Sequence, residues 1–375
     1  MNEFGTNFKI SIFGASHAAN VGIRISGVPA GIPLCREDFI QDILRRKSGA
    51  KGTTSRIEDD IPAILNGVSE EMPVADSGRV TGSGPSGVTG SNPFGITTSH
   101  TTGEEIIISF ENKNIRPQDY SQFKDVPRPG HADYTASVKY GTGRPGFDNT
   151  DFMGGGFFSG RMTLPLVAAG VVAKKVISPV RVEAKISEIG GIPYDRWEKI
   201  EQLLDLTAME GDSLGGIIEC TCIGVPAGIG EPFFNSLESL ISHAVFSIPG
   251  IRAIEFGDGF KSARMKGSEH NDCFIDASGH TATNGCGGIN GGISNGNPVV
   301  FRVAVKPTSS ISKAQETFNF ATGQMAELSA AGRHDTCFAL RVPPVVEAVT
   351  ACVIADLMVE RAGDGQMSAN EEDAI

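Results

Sequence analysis

Apolar and polar positions alternate along Phe8-Lys9-Ile10-Ser11-Ile12-Phe13. Successive strand side chains point to opposite faces, so this pattern predicts a half-buried strand, ended by Gly14. Strands are likewise predicted over Gly22–Ser26, Glu105–Phe110, Arg181–Ile186, Gly216–Gly224 and Val299–Val305. The spacing changes to three and four over 36–47, where Phe39, Ile40, Ile43 and Leu44 predict one apolar helix face. Ser236–Ile248 repeats that period through Leu237, Leu240, Ile241, Ala244 and Val245. Leu164–Ile177 is apolar nearly throughout, with Pro165 in the first turn, where its missing N–H is no loss. Asp195–Met209 predicts a surface helix, and Pro344–Arg361 a long helix buried on one side. Such a mixture of strands and helices points to an α+β fold, a single domain over 1–361. Residues 76–102 are rich in Gly, Ser, Thr and Pro and predict a flexible surface loop. The polar, acidic residues 362–375 predict a disordered tail.

One stretch nearly recurs. Gly27-Val28-Pro29-Ala30-Gly31-Ile32-Pro33 and Gly224-Val225-Pro226-Ala227-Gly228-Ile229-Gly230 each follow a strand and precede an amphipathic helix. Two related halves are expected, a possible internal duplication.

Composition narrows the function. No apolar run reaches the roughly 18–20 residues needed to span a bilayer. Met1–Thr6 has neither the basic start nor the apolar core of a secretory signal. The seven cysteines are odd in number and form no C-x-x-C pair, so no metal site is expected, and reduced thiols point to the cytoplasm. A net charge of −12 argues against a nucleic-acid partner. Within that acidic chain, Arg45, Arg46, Lys47, Lys51 and Arg56 cluster. Two readings stay open: a focus of positive potential for a small anion, or a solvated basic face whose helical part complements the helix dipole.

The densest chemistry is Arg128-Pro129-Gly130-His131-Ala132-Asp133-Tyr134. If extended, it puts His131 and Asp133 on one face, so the carboxylate can fix the imidazole tautomer while Arg128 clamps an anion. Gly332-Arg333-His334-Asp335 repeats that chemistry. Ser16-His17 follows the first strand. Gly154-Gly155-Gly156-Phe157-Phe158-Ser159-Gly160-Arg161 opens the apolar helix, where a glycine loop and helix N-terminus favour anions. Gly285–Gly296 offers backbone amides, and Lys306-Pro307-Thr308-Ser309-Ser310 offers a cation with three hydroxyls for a phosphate.

These segments in this order resemble the chorismate synthase family over nearly the full length. The resemblance rests on Gly14–His17, Gly27–Pro33, Arg45–Arg56, Arg128–Tyr134, Gly154–Arg161, Gly224–Pro232, Gly267–Asp272, Gly287–Gly296, Lys306–Ile311 and Gly332–Asp335. It implies a β-α-β sandwich of antiparallel sheets around helices, assembled as a homotetramer. It implies trans-1,4 elimination of phosphate from 5-enolpyruvylshikimate 3-phosphate, with reduced FMN and no net redox change. The chain offers no segment for a flavin reductase, so an external NAD(P)H-dependent reductase is expected. By resemblance His17 is the acid near the departing phosphate, His131 acts on the reduced flavin and Asp335 assists its N5, with Ser16 and Ser159 in support. Flavin contacts are implied for Phe157, Phe158, Ser159, Gly250, Gly291, Lys306, Pro307, Thr308, Ser309, Ser310 and Arg333. Substrate contacts are implied for Arg45, Arg46, Lys51, Arg128, Arg161 and Arg333. The chain departs from the family pattern at Ala15, Phe157, Phe158 and Met162. Two rival readings stand beside the lyase: an NADPH-consuming flavin oxidoreductase, and a non-catalytic flavin- or anion-binding homologue.

Overall fold

The computed structural model describes residues 2–69, 72–73, 97–114, 123, 125–140, 155–330 and 332–363. Of the loop expected over 76–102, residues 76–96 lie outside the described residues, and the rest is corrected: His100 and Thr101 pair with Pro33 and Val68, and Ser99 and Thr101 are buried. Of the tail expected over 362–375, residues 362–363 continue the last helix and those from 364 onward lie outside the described residues.

Two five-stranded antiparallel sheets enclose a layer of helices. In the first sheet β1 (Glu3–Phe4), β2 (Lys9–Gly14), β3 (Asn20–Ser26), β4 (Ala63–Asn66) and β5 (Ile106–Glu111) lie in the order β1-β2-β3-β5-β4. The second holds β6 (Arg181–Ile189), β7 (Ile192–Pro193), β8 (Gly216–Ile223), β9 (Ile251–Phe256) and β10 (Val299–Val305), in the order β9-β10-β8-β6-β7. The helices are α1 (Ile40–Arg46), α2 (Asp133–Tyr140), α3 (Thr163–Val176), α4 (Trp197–Met209), α5 (Leu237–Val245) and α6 (Pro343–Gly363). A separate hairpin pairs β11 (Gln315–Asn319) with β12 (Gln324–Leu328).

Period two in the strands becomes burial. Val299, Phe301, Val303 and Val305 of β10 are buried against the helices while their neighbours are half-exposed. Helix α3 packs on the first sheet and α6 on the second, and the two helices meet face to face. At their crossing a Cβ on Gly170 would sit 2.3 Å from the Ala348 Cβ, so only glycine permits this approach. Helix α6 is buried all round from Val345 to Leu357 and emerges only beyond it, from Met358. The expectation of a one-sided helix is corrected, because sheet, α3 and α5 enclose it. Helix α1 departs the other way: Phe39 and Ile43 are buried, but Ile40 and Leu44 are exposed.

The near-repeat is structural. In the first half Thr101 Oγ1 donates to Pro29 O (2.6 Å) and accepts from Ile32 N (3.0 Å), while Gly31 N donates to Thr101 O (2.8 Å). In the second, Ser294 Oγ donates to Pro226 O (2.6 Å) and accepts from Ile229 N (2.8 Å), while Gly228 N donates to Ser294 O (2.9 Å). Strand register agrees as well. Ile25 faces Ile106 across β3 and β5, and Cys222 faces Val299 across β8 and β10, each two residues before its turn. The chain therefore runs β2-β3-α1-β4-β5-α3 and then β6-β8-α5-β9-β10-α6, with α4 inserted between β6 and β8.

Candidate active site

A cavity of about 560 Å³ opens where the ends of β9 and β10 meet the segments leading into α2, α3 and α6. Its wall holds Arg46, Arg56, Arg128, Arg161, Arg252, Arg333, Arg341 and Lys306, against the carboxylates of Glu58, Asp60 and Asp335. In a chain of net charge −12, this concentration of cations focuses a positive field on one cleft.

Arg128 organises one wall. Its Nε and Nη2 each lie 2.7 Å from an Asp133 oxygen, and its Nη1 donates to Ser310 Oγ at 2.9 Å. Asp133 Oδ1 lies 2.6 Å from His131 Nδ1. Burial alone would raise the Asp133 pKa, but the bonds from Arg128 and His131 outweigh it and hold the carboxyl below its usual range. An ionised carboxylate only accepts, so Nδ1 carries a proton toward Asp133, and in the neutral imidazole Nε2 is the accepting nitrogen. Nε2 faces Gly155, where a Cβ would stand 3.4 Å away, and Gly155 adopts φ +85°. The Asp133–His131 contact was legible in the sequence, but its geometry was not. Residues 128–132 form a tight turn and Asp133 begins α2, so no extended segment is involved. Arg128 is turned toward Asp133 and Ser310 as a strut.

The opposite wall is a chain of buried ion pairs. Arg161 binds Asp60 through Nη1 and donates from Nε to Asn112 Oδ1 (2.9 Å). Asn112 Nδ2 in turn donates to Ala18 O (2.7 Å) and Ala15 O (3.2 Å), fixing the loop that carries Ser16 and His17. Arg46 donates to Thr163 Oγ1 (3.0 Å) and Gly160 O (2.8 Å), and lies 3.6 Å from Asp60. Burial, then the neighbouring Arg341, push the Arg46 pKa down. Asp335 accepts from Arg341 Nη1 (3.0 and 3.1 Å) and from Thr54 N (2.7 Å). Glu58 steadies Arg56 (2.7 Å to Nη2), which reaches Ser16 Oγ at 3.4 Å.

Of the expected site residues, the cavity brings together Arg46, Arg128, His131, Phe157, Phe158, Ser159, Arg161, Gly250, Arg333, Asp335 and the run Lys306, Pro307, Thr308, Ser309 and Ser310. Ser16 is fully buried behind Arg56, and His17 stands outside the wall on the same loop. Three more of the expected residues do not line the cavity. Arg45 is bound to Glu347 (2.7 and 2.8 Å), because its face of α1 turns to α6. Lys51 is exposed and pairs with Asp205 (2.8 Å) and Glu201 (3.1 Å) of α4. Gly291 sits at the turn of the short hairpin Ile289–Asn290/Ile293–Ser294, outside the cavity lining, and the next residue, Gly292, is used for close packing against Glu231. Sequence reasoning missed Arg341, although a lone cation in the apolar run before a buried helix was a signal. Asp60 and Thr54 gave none, because their partners are distant in sequence.

These placements predict that Lys51→Ala leaves substrate KM within about twofold, since its ion pairs are exposed, screened by solvent and away from the cavity wall. A large rise in KM in steady-state assays would overturn that placement.

The chain matches the chorismate synthase family model over residues 8–78 and 93–359. The chain belongs to the chorismate synthase family. It is 52% identical to the chorismate synthase of Chitinophaga pinensis, over 96% of this chain and 97% of that one. Similarity extends to the enzymes of Dehalococcoides mccartyi (40%; 96% and 97% covered) and Methanocaldococcus jannaschii (36%; 96% and 97% covered). A crystal structure of a chorismate synthase shares the fold with TM-score 0.67 at 22% identity, covering 96% of this chain and 94% of that one. The chain is accordingly a chorismate synthase by family, a lyase of aromatic biosynthesis. No helix among the described residues is long and apolar enough to cross a membrane.

Proposed function

We propose that the cavity carries out trans-1,4 elimination of phosphate from 5-enolpyruvylshikimate 3-phosphate, with reduced FMN bound beside the substrate. The observation that carries this reading is the ring of eight cations against three carboxylates. A substrate with two carboxylates and a phosphate requires that balance, because each anion loses its hydration on entry.

The residues present fit a flavin phosphate and ring. Thr308 Oγ1 is buried with no hydrogen-bond partner among the described residues, on the segment that lines the cavity with Lys306 and Ser309. Lys306 through Ser310, Ser159, Gly250 and Arg333 would hold the cofactor, with Phe157 and Phe158 against its ring. When bound, the flavin supplies transient electron density that helps phosphate leave, without net redox change. The chain's own groups orient and neutralise. Arg46, Arg161 and Arg333 face the anionic groups. His131, with its proton on Nδ1, holds an accepting Nε2 toward the cavity. The leaving phosphate is assigned to the Arg56 end, where the His17 loop is fixed by Asn112. Asp335 holds its place through Arg341 and is assigned the proton removed from substrate carbon.

Reduced flavin is assigned to an external NAD(P)H-dependent reductase, and the enzyme to the cytoplasm. The chain to residue 361 is read as one domain, because both halves share the helix layer. A homotetramer is supported by Phe233, Phe234, Phe260 and Phe274, each more than 70% exposed, since such apolar side chains mark contact surfaces.

Anaerobic mixing with photoreduced FMN and substrate tests the reading. Chorismate and phosphate are expected in equal amounts over many turnovers, with no net flavin oxidation. NADPH consumption independent of substrate, or flavin binding without product, would replace it with a redox or a binding role.

A further inference from the structure

We propose that the β11–β12 hairpin is a brace for the His131 turn, and that Phe320 and Tyr134 are positioning residues for it. The inference rests on the proposed elimination for its kinetic part only.

A two-stranded hairpin is marginal alone in water. This one pairs with no other strand among the described residues, so what it touches gives its purpose. At its turn, the Phe320 ring stacks on Tyr134 with centroids 5.3 Å apart and planes 26° apart. Phe318 supports Phe320 edge-on at 5.2 Å. Tyr134 adjoins Asp133 in the first turn of α2, an eight-residue helix too short to persist unaided. Phe320 N also donates to Asp125 O at 2.9 Å, tying the hairpin to the strand of chain that enters Arg128. At the other end, Leu328 and the following Ala330 pack on Phe123 and Val126. The Arg128 guanidinium carbon lies 4.5 Å over the Phe123 ring.

The hairpin therefore grips both ends of the Arg128–Asp133 pair, and that pair sets His131. Tyr134 is 52% and Phe320 55% exposed, so truncating either opens no core cavity. Their packing affects the geometry of the turn above bulk stability.

The test uses the full-length enzyme. F320A should lower kcat about tenfold, as expected for a displaced catalytic group, with KM nearly unchanged. F320Y keeps the stack and should restore wild-type kcat. Y134L should match F320A, and F320A/Y134L should be no worse than either, because both remove one contact. A second readout needs neither substrate nor flavin: nitrogen shifts of labelled histidines, with His131 assigned by its loss in H131N. Wild type should show the Nδ1–H tautomer, and F320A a mixture. Wild-type kcat in F320A, or a lowered kcat with unaltered His131 shifts, would overturn the proposal. If wild type gave no elimination, the elimination reading would fall and the nitrogen shifts alone would decide the brace. Should F320A fail to fold, Y134L reads the same contact.

Discussion

His131→Ala lowers turnover by about 10²–10⁴-fold, the range for a lost acid–base group, while substrate KM changes little. The reasoning is geometric. Asp133 fixes the proton on Nδ1, and Nε2 is presented to the cavity past Gly155. In the proposed binding mode the anions of the substrate meet arginines elsewhere in the wall, so binding survives the loss of an imidazole. Single-turnover chorismate formation checks this directly. Wild-type rates would remove His131 from the chemistry, whereas an equal rise in KM would make it a binding group.

Asp60→Ala is the largest stability change expected, a loss of about 3–5 kcal/mol, because it strands buried charge. Asp60 binds Arg161 and lies 3.6 Å from Arg46. Arg46 is 2% exposed and already faces the like charge of Arg341. Without the carboxylate, the two buried guanidinium groups lose the one counter-charge they share, leaving Asp335 to act on Arg46 and Glu58 on Arg161. Urea unfolding at neutral pH measures the effect. A loss below about 1 kcal/mol would mean that water already screens the cluster.

Local physics carried the sequence far. Alternation located β2, β8 and β10, and the two GVPAGI turns announced the duplication. It stopped where a side chain's partner lies far along the chain. Arg45 and Arg46 are adjacent, yet a helix turns neighbours about 100° apart. One meets Glu347 and the other the cavity, and nothing local says which. Lys51 read as part of the same basic cluster, but α4 supplies its acids from 150 residues onward. The Asp133–His131 pair was legible because its partners are two residues apart. Arg341 was missed although Asp335 is only six residues away, because the short turn Phe338–Arg341 that brings them together carries no periodic pattern.

The duplicated architecture has a bearing on how the enzyme holds together. Each half contributes one sheet and one long helix, and α3 and α6 bury their faces chiefly on each other across Gly170 and Ala348. Neither half has a second sheet of its own to cover the other face of its helix. A half set free would expose a full apolar helix face, so neither is an independent folding unit. The cavity's walls are drawn from both, with Arg46 and Arg161 from the first and Lys306 and Arg341 from the second. Cooperativity of the whole chain is thus tied to the site: a change that loosens the seam between the halves opens the pocket as it weakens the fold.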